Sequence, residues 1–197
     1  MNQFQYLLAQ QGRWSQRKKS LAMSLDLPDL PGGAWVLKSQ MSWRSGYVVP
    51  NWKSDVARRS RGTGGFIVWR SFRQTDSPLT LWAQVGPYAT REDADDAVPR
   101  LLLMGQRNPR FAGTVADEKV IEDFHIPDVG ITHVVERSAT GSSKGPSNSK
   151  YVMGSVDHII FMIAFSAYGD GWPWSDVSLI SSLQVNKIRQ VLGQGNQ

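Results

Sequence analysis

The 197-residue sequence predicts an α+β fold in which a mostly antiparallel sheet is sandwiched by helices. Three segments before residue 90 alternate apolar and polar residues with a period of two, which is typical of half-buried strands. No helical crossover separates them, which favours antiparallel pairing. After these strands, segments with helical spacing occur in the middle of the chain and at its end.

The first three strands are predicted over Ala34–Trp43, Phe66–Arg73 and Leu79–Val85. An entry loop, Leu25–Gly33, precedes them, because two prolines and a glycine pair break regular structure there. Residues 44–64 form a long basic loop between the first two strands. The second and third strands are close enough in sequence to pair as a hairpin.

A helix is predicted from Thr90 to Gly105, because Thr90 precedes Asp93 by three residues, as in a capping box. Residues 106–130 are expected to be irregular. A strand over Ile131–Arg137 and a mobile, serine- and glycine-rich hairpin tip over Ser138–Lys150 come next.

The most apolar run, Ile159–Phe165, lies within Tyr151–Tyr168 and predicts a central strand buried on both faces. A final helix is expected, capped by Ser175 or Asp176 and ended by Gly193. The predicted core residues are Val36, Leu37, Phe66, Val68, Leu81, Ile160, Met162, Ala164, Ile180, Leu183 and Val191.

The domain organisation predicts an N-terminal basic arm or helix over residues 1–22 and a single α+β domain over residues 23–197. The arm has basic residues but no apolar core of signal-peptide length behind them. No apolar run reaches the 18 residues of a membrane span. We therefore expect a cytoplasmic location by default, while a missing upstream leader stays an alternative.

The composition excludes several functions. The chain has no cysteine, which rules out disulfides, thiolate catalysis, zinc ribbons and iron–sulfur clusters. Charge is unevenly distributed, since residues 1–110 carry 16 of the 22 Lys and Arg residues but 8 of the 17 acidic residues. Such a basic half is typical of a surface for an anionic partner, or of a solvated face with no partner.

The candidate binding residues lie in two aromatic or basic loops. Arg58, Arg59 and Arg61 precede a glycine cluster and lie near Trp52, a combination found in single-strand nucleic-acid grooves. Trp172 and Trp174 flank Pro173 in a glycine-bounded turn, where they either anchor a ligand or partner or form a lid over the sheet end.

No catalytic, metal or cofactor site is expected. Gly141–Gly145 matches G-x-S-x-G, but a strand rather than a helix follows it, which is wrong for a nucleophile elbow. His125 and His133 lie among acidic residues without the spacing of metal ligands.

The stretch Asp29–Trp35, DLPGGAW, forms a short DLPxGW-like entry. After it come two tryptophan-containing strands and a Thr-capped helix, followed by a valine-rich strand, a long apolar strand and a C-terminal amphipathic helix. This order, over residues 25–193, resembles the PsbP-like α/β/α sandwich superfamily and the related sensor-type domains of exported lipoproteins and receptor serine/threonine kinases. The kinase domains usually carry disulfides, which this chain cannot form. The resemblance implies a non-enzymatic accessory or ligand-sensing domain and supplies no catalytic residue.

The leading hypothesis from the sequence is therefore a non-catalytic accessory module that binds an unknown protein or small ligand. The alternative is a binder of nucleic acid or another anionic polymer through the basic N-terminal half. A small hydrolase using Ser143 is the third hypothesis. The oligomeric state is left open.

Overall fold

The computed structural model describes residues 15–44, 65–106, 114–126, 129, 132–140, 145–169 and 171–194. Within these ranges the chain forms three α-helices, which are α1 (residues 15–23), α2 (Arg91–Gln106) and α3 (Trp174–Gln194), and a short 3-10 helix over Leu27–Asp29. The strands are β1 (Trp35–Arg44), β2 (Phe66–Gln74), β3 (Thr80–Pro87), β4 (Thr114–Val120), β5 (Thr132–Thr140), β6 (Ser147–Val156) and β7 (Ile159–Tyr168). None of the described helices is both long and apolar enough to cross a bilayer.

All seven strands join one sheet in the order β1-β2-β3-β7-β6-β5-β4, and every described neighbouring pair is antiparallel. The sheet consists of two meanders, β1–β3 and β4–β7, which meet where β3 pairs with β7. The predicted antiparallel sheet is confirmed, and β7 lies at its centre, as the apolar run predicted.

The larger core fills the face of the sheet that carries α3. Phe72, Leu81 and Phe165 project from the strands and are fully buried there. They pack with Ile180 and Ile188 of α3, and the end of α1 contributes to the same cluster. Burying side chains of this size contributes roughly 1.5–3 kcal/mol each, so this layer is the main source of stability.

The smaller core lies on the opposite face, under α2. Ala94 and Val98 of the helix pack on Met153 and Ile160 of the sheet. The helix therefore covers mainly β6 and β7. Together the two cores confirm the predicted arrangement of a sheet between helices. Among the described residues, the smaller core takes no buried side chain from β1 or β2.

The prediction of irregular structure over residues 106–130 is wrong, because Thr114–Val120 forms β4 and pairs with β5. The strand carries Asp117, Glu118 and Lys119 in succession, which hides any alternation of apolar and polar residues. An edge strand needs only one paired side, so its charged residues stay in water.

The Tyr151–Tyr168 segment contains two strands, β6 and β7, joined by a tight turn at Asp157 and His158. The two side chains of this turn contact each other. Asp157 has a φ of 52° in the turn, and its carboxylate lies 2.8 Å from His158 Nδ1.

The predicted core is confirmed in part. Val68, Leu81, Ile160, Ala164 and Ile180 are buried, and Phe66, Met162, Leu183 and Val191 are half-buried. Val36 and Leu37 are exposed, at 38% and 39%, and this part of the prediction is wrong. Both lie on β1, an edge strand that has a neighbour on one side only and a bulge between Leu37 and Ser39.

The chain enters the sheet through a segment held by buried polar side chains. Gln184 of α3 is fully buried, accepts from the Leu25 amide at 3.3 Å and donates to the Met23 carbonyl. Arg70 Nη1 donates to the Leu25 carbonyl at 2.6 Å. Ser20 of α1 is also buried, so packing on the domain begins before residue 23. The boundary of the arm at residue 23 stays a prediction.

The DLPGGAW stretch forms the turn between this segment and β1. Gly33 has a φ of 74°, a left-handed conformation that favours glycine because an L side chain there is strained. Trp35 Nε1 donates to the Gly32 carbonyl at 2.8 Å, which closes the turn. The entry motif thus has a structural role in positioning β1.

Candidate binding surface

The β1–β3 half of the sheet presents large apolar side chains on the side that carries α2. We call Met41, Trp69 and Trp82 the aromatic face. Met41 pairs with Trp69 across β1 and β2, and the Trp69 and Trp82 rings lie 6.2 Å apart at 45°. Met41 is 52% exposed, and both tryptophans are half-buried. Three adjacent strands thus supply one apolar surface beside α2.

The alternation of β2 explains why tryptophan lies on this side. Val68 and Phe72 point into the larger core, so Trp69 and Ser71 must point the other way. Trp82 lies opposite Ser71 on β3 and therefore shares that side. The same two-residue period that builds the core under α3 places the aromatic face outside it.

A polar row borders the aromatic face towards one end of the strands. Arg73 pairs with Thr80, and Thr80 pairs with Ser166. Thr80 Oγ1 donates to the Ser166 carbonyl at 3.2 Å, and the Ser166 and Ser149 hydroxyl groups lie 2.9 Å apart. Arg73 is exposed. Hydroxyl groups and one guanidinium therefore lie next to the tryptophan rings.

The charge of this half of the sheet is uniform. No aspartate or glutamate occurs in β1, β2 or β3, whereas four cationic residues do. Arg70 points to the other face, where it lies 3.5 Å from Asp26. Arg73 is the cationic residue of β2 on the side of the aromatic face. This surface combines stacking area with positive charge.

The side chains of the aromatic face have the chemistry of a binding surface. Aromatic rings, a thioether and a guanidinium can stack on a ligand and pair with an anion, but they include no general base or nucleophile. Among the described residues, no three His, Cys, Asp or Glu side chains come together as a metal ion requires. His125 and His133 are exposed and half-buried, respectively.

Trp172 lies on the opposite face of the sheet, within the larger core. Only 3% of its surface is exposed. Its ring stacks on Trp35 at 5.5 Å and meets Phe165 edge-on at 5.2 Å, and its Nε1 donates to the carbonyls of Thr80 and Ser166 at 3.2 Å each. These contacts match the predicted alternative of a lid over the sheet end. Ligand binding by Trp172 stays a prediction.

Trp174 begins α3 and is half-buried. Its ring lies 5.6 Å from Phe124, and Lys150 Nζ lies 4.6 Å above it. Lys150 is itself buried, donates to the Trp172 carbonyl and lies 3.5 Å from Glu136. The cluster satisfies a buried ammonium group by a carbonyl, a carboxylate and a ring face. Trp174 is the more accessible of the two predicted tryptophans.

The remaining predicted site residues, Trp52, Arg58, Arg59 and Arg61, lie outside the described residues, as does the G-x-S-x-G sequence apart from its last glycine. The structure does describe the strands that flank the basic segment. These are β1 and β2, which carry Met41 and Trp69. The chain therefore leaves and re-enters the sheet on the two strands that form the edge of the aromatic face.

Sequence reasoning missed the aromatic face because it placed every candidate binding residue in a loop. A signal was present. The sequence offers two long helical segments, one of which must cover the face with the apolar residues Val68, Phe72 and Leu81. The other helix can then cover only part of a seven-stranded sheet, which leaves some aromatic side chains beyond its reach.

Comparison with known proteins gives a likeness in fold. The structure is similar to the extracellular domain of PknH from Mycobacterium tuberculosis, with a TM-score of 0.57 and 11% sequence identity, covering 88% of this chain and 96% of that domain. No protein-family model matches the sequence. No curated protein matches it either. The likeness to this extracellular domain is one of fold alone. Membership of the PsbP-like superfamily stays a prediction.

Proposed function

We propose that this chain is a non-catalytic module that binds a ligand or partner through the aromatic face. The observation that carries the proposal is the continuous apolar surface of Met41, Trp69 and Trp82. Trp82 packs against the edge of the core under α2, and Met41 and Trp69 extend the surface beyond it onto β1 and β2. The likeness in fold to an extracellular domain is in keeping with such a role.

The physical argument rests on exposed apolar area. Met41 keeps about half of its surface in water, and aromatic side chains dominate the energetics of interfaces because they bury large areas with few rotatable bonds. Three such side chains on adjacent strands form one continuous surface, whereas singly exposed apolar residues are ordinary. A bound ring or apolar group would remove this surface from water.

The experiment compares two single charge insertions at exposed apolar positions. Met41→Glu places a carboxylate in the aromatic face, and Leu179→Glu does the same on α3, where Leu179 is 48% exposed. Immobilised wild-type protein and both variants are incubated with a native extract, and the retained molecules are identified by mass spectrometry. We expect one or more species on the wild type and on Leu179→Glu that Met41→Glu does not retain.

The outcome that contradicts the proposal is equal retention by all three proteins, or no specific retention by any. Thermal unfolding of each variant in parallel shows whether the folded state is intact. Because both substitutions replace exposed side chains, the expected change in stability is only about 0.5 kcal/mol or less.

A second candidate function is the binding of nucleic acid or another anionic polymer through the basic N-terminal half. The absence of acidic residues from β1, β2 and β3 favours it, since β1 and β2 flank the segment with Trp52, Arg58, Arg59 and Arg61 and β3 pairs with β2. Fluorescence anisotropy with a single-stranded oligonucleotide at two salt concentrations tests this. Binding should fall steeply with salt. Absence of binding at low salt removes this candidate, as does full binding by a triple Arg→Ala variant of Arg58, Arg59 and Arg61.

A further inference from the structure

We propose that the aromatic face binds a small monoanion that carries an apolar ring, with Arg73 pairing the anionic group and the Trp69–Trp82 pair contacting the ring. This inference rests on the proposed function and names the ligand class for that surface. Three observations support the proposal: which cationic side chains reach the aromatic face, their distance from the tryptophan rings, and their number.

Arg73 is the cation of β2 that a ligand on the aromatic face can reach. Within the described residues, Arg70 pairs with Asp26, Arg137 with Glu118 and Lys150 with Glu136. Arg73 has no such ion pair among the described residues, and its side chain is exposed. Since β1, β2 and β3 supply no carboxylate, an anion placed there meets no repulsive charge from these strands.

The spacing between the guanidinium and the rings suits one compact molecule. Arg73 lies opposite Thr80 on β3, and Trp82 is two residues further along that strand on the same side. Diagonal neighbours of this kind have Cα atoms roughly 7–8 Å apart, within the joint reach of long and aromatic side chains. A ring of one or two six-membered units attached to an anionic group spans such a separation.

The Thr80–Ser166–Ser149 row crosses β3, β7 and β6, starting at the position opposite Arg73. Thr80 is the member of the row next to Arg73, and its hydroxyl group already donates to the Ser166 carbonyl at 3.2 Å. The two serine hydroxyl groups lie on the second and third strands from Arg73, at roughly 5 Å per strand, and contact each other. The charge of Arg73, rather than this row, therefore selects the anionic group, since hydrogen bonds to a charged donor are among the strong ones in proteins.

The number of cations favours a small ligand over a polymer. A polyanion gains its affinity by contacting a line of cationic side chains along its backbone. On this side of β2 and β3, Arg73 is the single cationic residue. One charge next to two rings fits a monoanion, and an extended polymer would find no second partner on these two strands.

The test uses two fluorescent probes that differ by one charge. Anilinonaphthalene sulfonate is the sulfonated form of the neutral probe N-phenyl-1-naphthylamine, and both brighten in an apolar environment. Titrations of the full chain should show one saturable site with tighter binding of the sulfonate. Arg73→Gln should weaken the sulfonate about tenfold, in line with a charged hydrogen bond, and should leave the neutral probe unchanged. Met41→Glu should weaken the binding of both probes.

Two outcomes overturn the inference and are distinguishable from failure of the proposed function. In the first, the two probes bind with equal affinity, Arg73→Gln changes neither affinity, and Met41→Glu lowers both. The aromatic face then binds ligands but does not select monoanions. If Met41→Glu and Leu179→Glu behave alike, the probes bind elsewhere and the proposed function fails as well.

The same titration also tests whether the ligand is a polymeric anion. A single-stranded oligothymidylate should compete only weakly with the sulfonate. The salt dependence of its inhibition constant should correspond to about one released counterion. Competition at much lower concentration, with a salt dependence of several charges, would identify a polyanion and contradict the inference. Urea unfolding of Arg73→Gln controls for folding, and the exposed position of Arg73 leads us to expect an unchanged midpoint.

Discussion

Trp69 and Arg70 are consecutive residues of β2, and their side chains lie on opposite faces of the sheet. Trp69 contacts Trp82 in the aromatic face, and Arg70 donates to the carbonyl of Leu25 at 2.6 Å and to Gln40 Oε1 at 2.8 Å. One strand thus carries both the candidate binding surface and the attachment of the chain's entry segment. Stability and binding can therefore be separated by substitutions a few residues apart.

Arg70→Gln should lower the free energy of unfolding by about 2–3 kcal/mol, because it leaves the buried Leu25 carbonyl without its charged donor. The matched control is Arg73→Gln on the same strand, an exposed position whose substitution should change stability by about 0.5 kcal/mol or less. Urea unfolding followed by tryptophan fluorescence measures both. Equal midpoints for the two variants would contradict the role given to Arg70.

Gln184→Leu should also lower the free energy of unfolding, by about 2–4 kcal/mol. The substitution keeps the volume of a fully buried side chain but removes its bonds to the Met23 carbonyl and the Leu25 amide. Gln190→Leu, at an exposed position of the same helix, is the control. Hydrogen exchange gives the decisive measurement, because the Leu25 amide should exchange faster in Gln184→Leu alone. Unchanged protection at Leu25 would show that the amide is held by something else.

Trp172→Phe should lower stability by about 1–3 kcal/mol without affecting ligand binding at the aromatic face. Phenylalanine keeps part of the stacking on Trp35 but loses the indole donor to Thr80 and Ser166. Thermal unfolding and the two-probe titration are measured on the same protein. A folded variant that no longer binds would instead make Trp172 a binding residue, as one interpretation of the sequence predicted.

A chain that starts at Met23 should remain folded and cooperative, with a stability loss of roughly 1–2 kcal/mol and a melting midpoint only a few degrees lower. The truncation removes the buried Ser20 and the packing of Leu21, but it keeps the contacts of Met23 and Leu25 with Gln184. A chain that starts at Ser15 retains α1. Comparing its free energy of unfolding with that of the shorter chain shows how much of the stability loss comes from that helix. An insoluble or molten product from Met23 onward would place the arm within the core.

The fold could be predicted from the sequence wherever periodicity was uninterrupted. The alternation of Phe66–Arg73, the apolar run at Ile159–Phe165 and the Thr90 cap all correspond to elements of the structure, and Asp93 donates its amide to Thr90 Oγ1 at 3.1 Å. β4 was missed because charged residues on an exposed edge strand do not alternate. Val36 and Leu37 were misplaced because periodicity identifies a strand but not whether it lies at the edge.

The candidate site was harder to predict, because it depends on where α2 lies. A sequence shows that Trp69 and Trp82 are on strands. Only the packing of Ala94 and Val98 on Met153 and Ile160 shows that the core under α2 reaches Trp82 at its edge and does not include Trp69. The predicted tryptophans of the loop, by contrast, pack inward on the other face. Local residue type therefore indicated aromatic binding chemistry, and tertiary packing decided which aromatic residues remained accessible.

The pairing of β3 with β7 also determines how the chain must acquire its structure. Thr80 and Ser166 are 86 residues apart, whereas each meander can form from hairpins between neighbouring strands. Closing such a distant pair delays folding, because loop-closure entropy is lost before the contacts that compensate it are formed. During synthesis β3 emerges long before β7, and until then it presents an unpaired apolar edge. We expect refolding to be slowed most by substitutions at this central seam, and nascent chains that lack β7 to be the species most prone to aggregate.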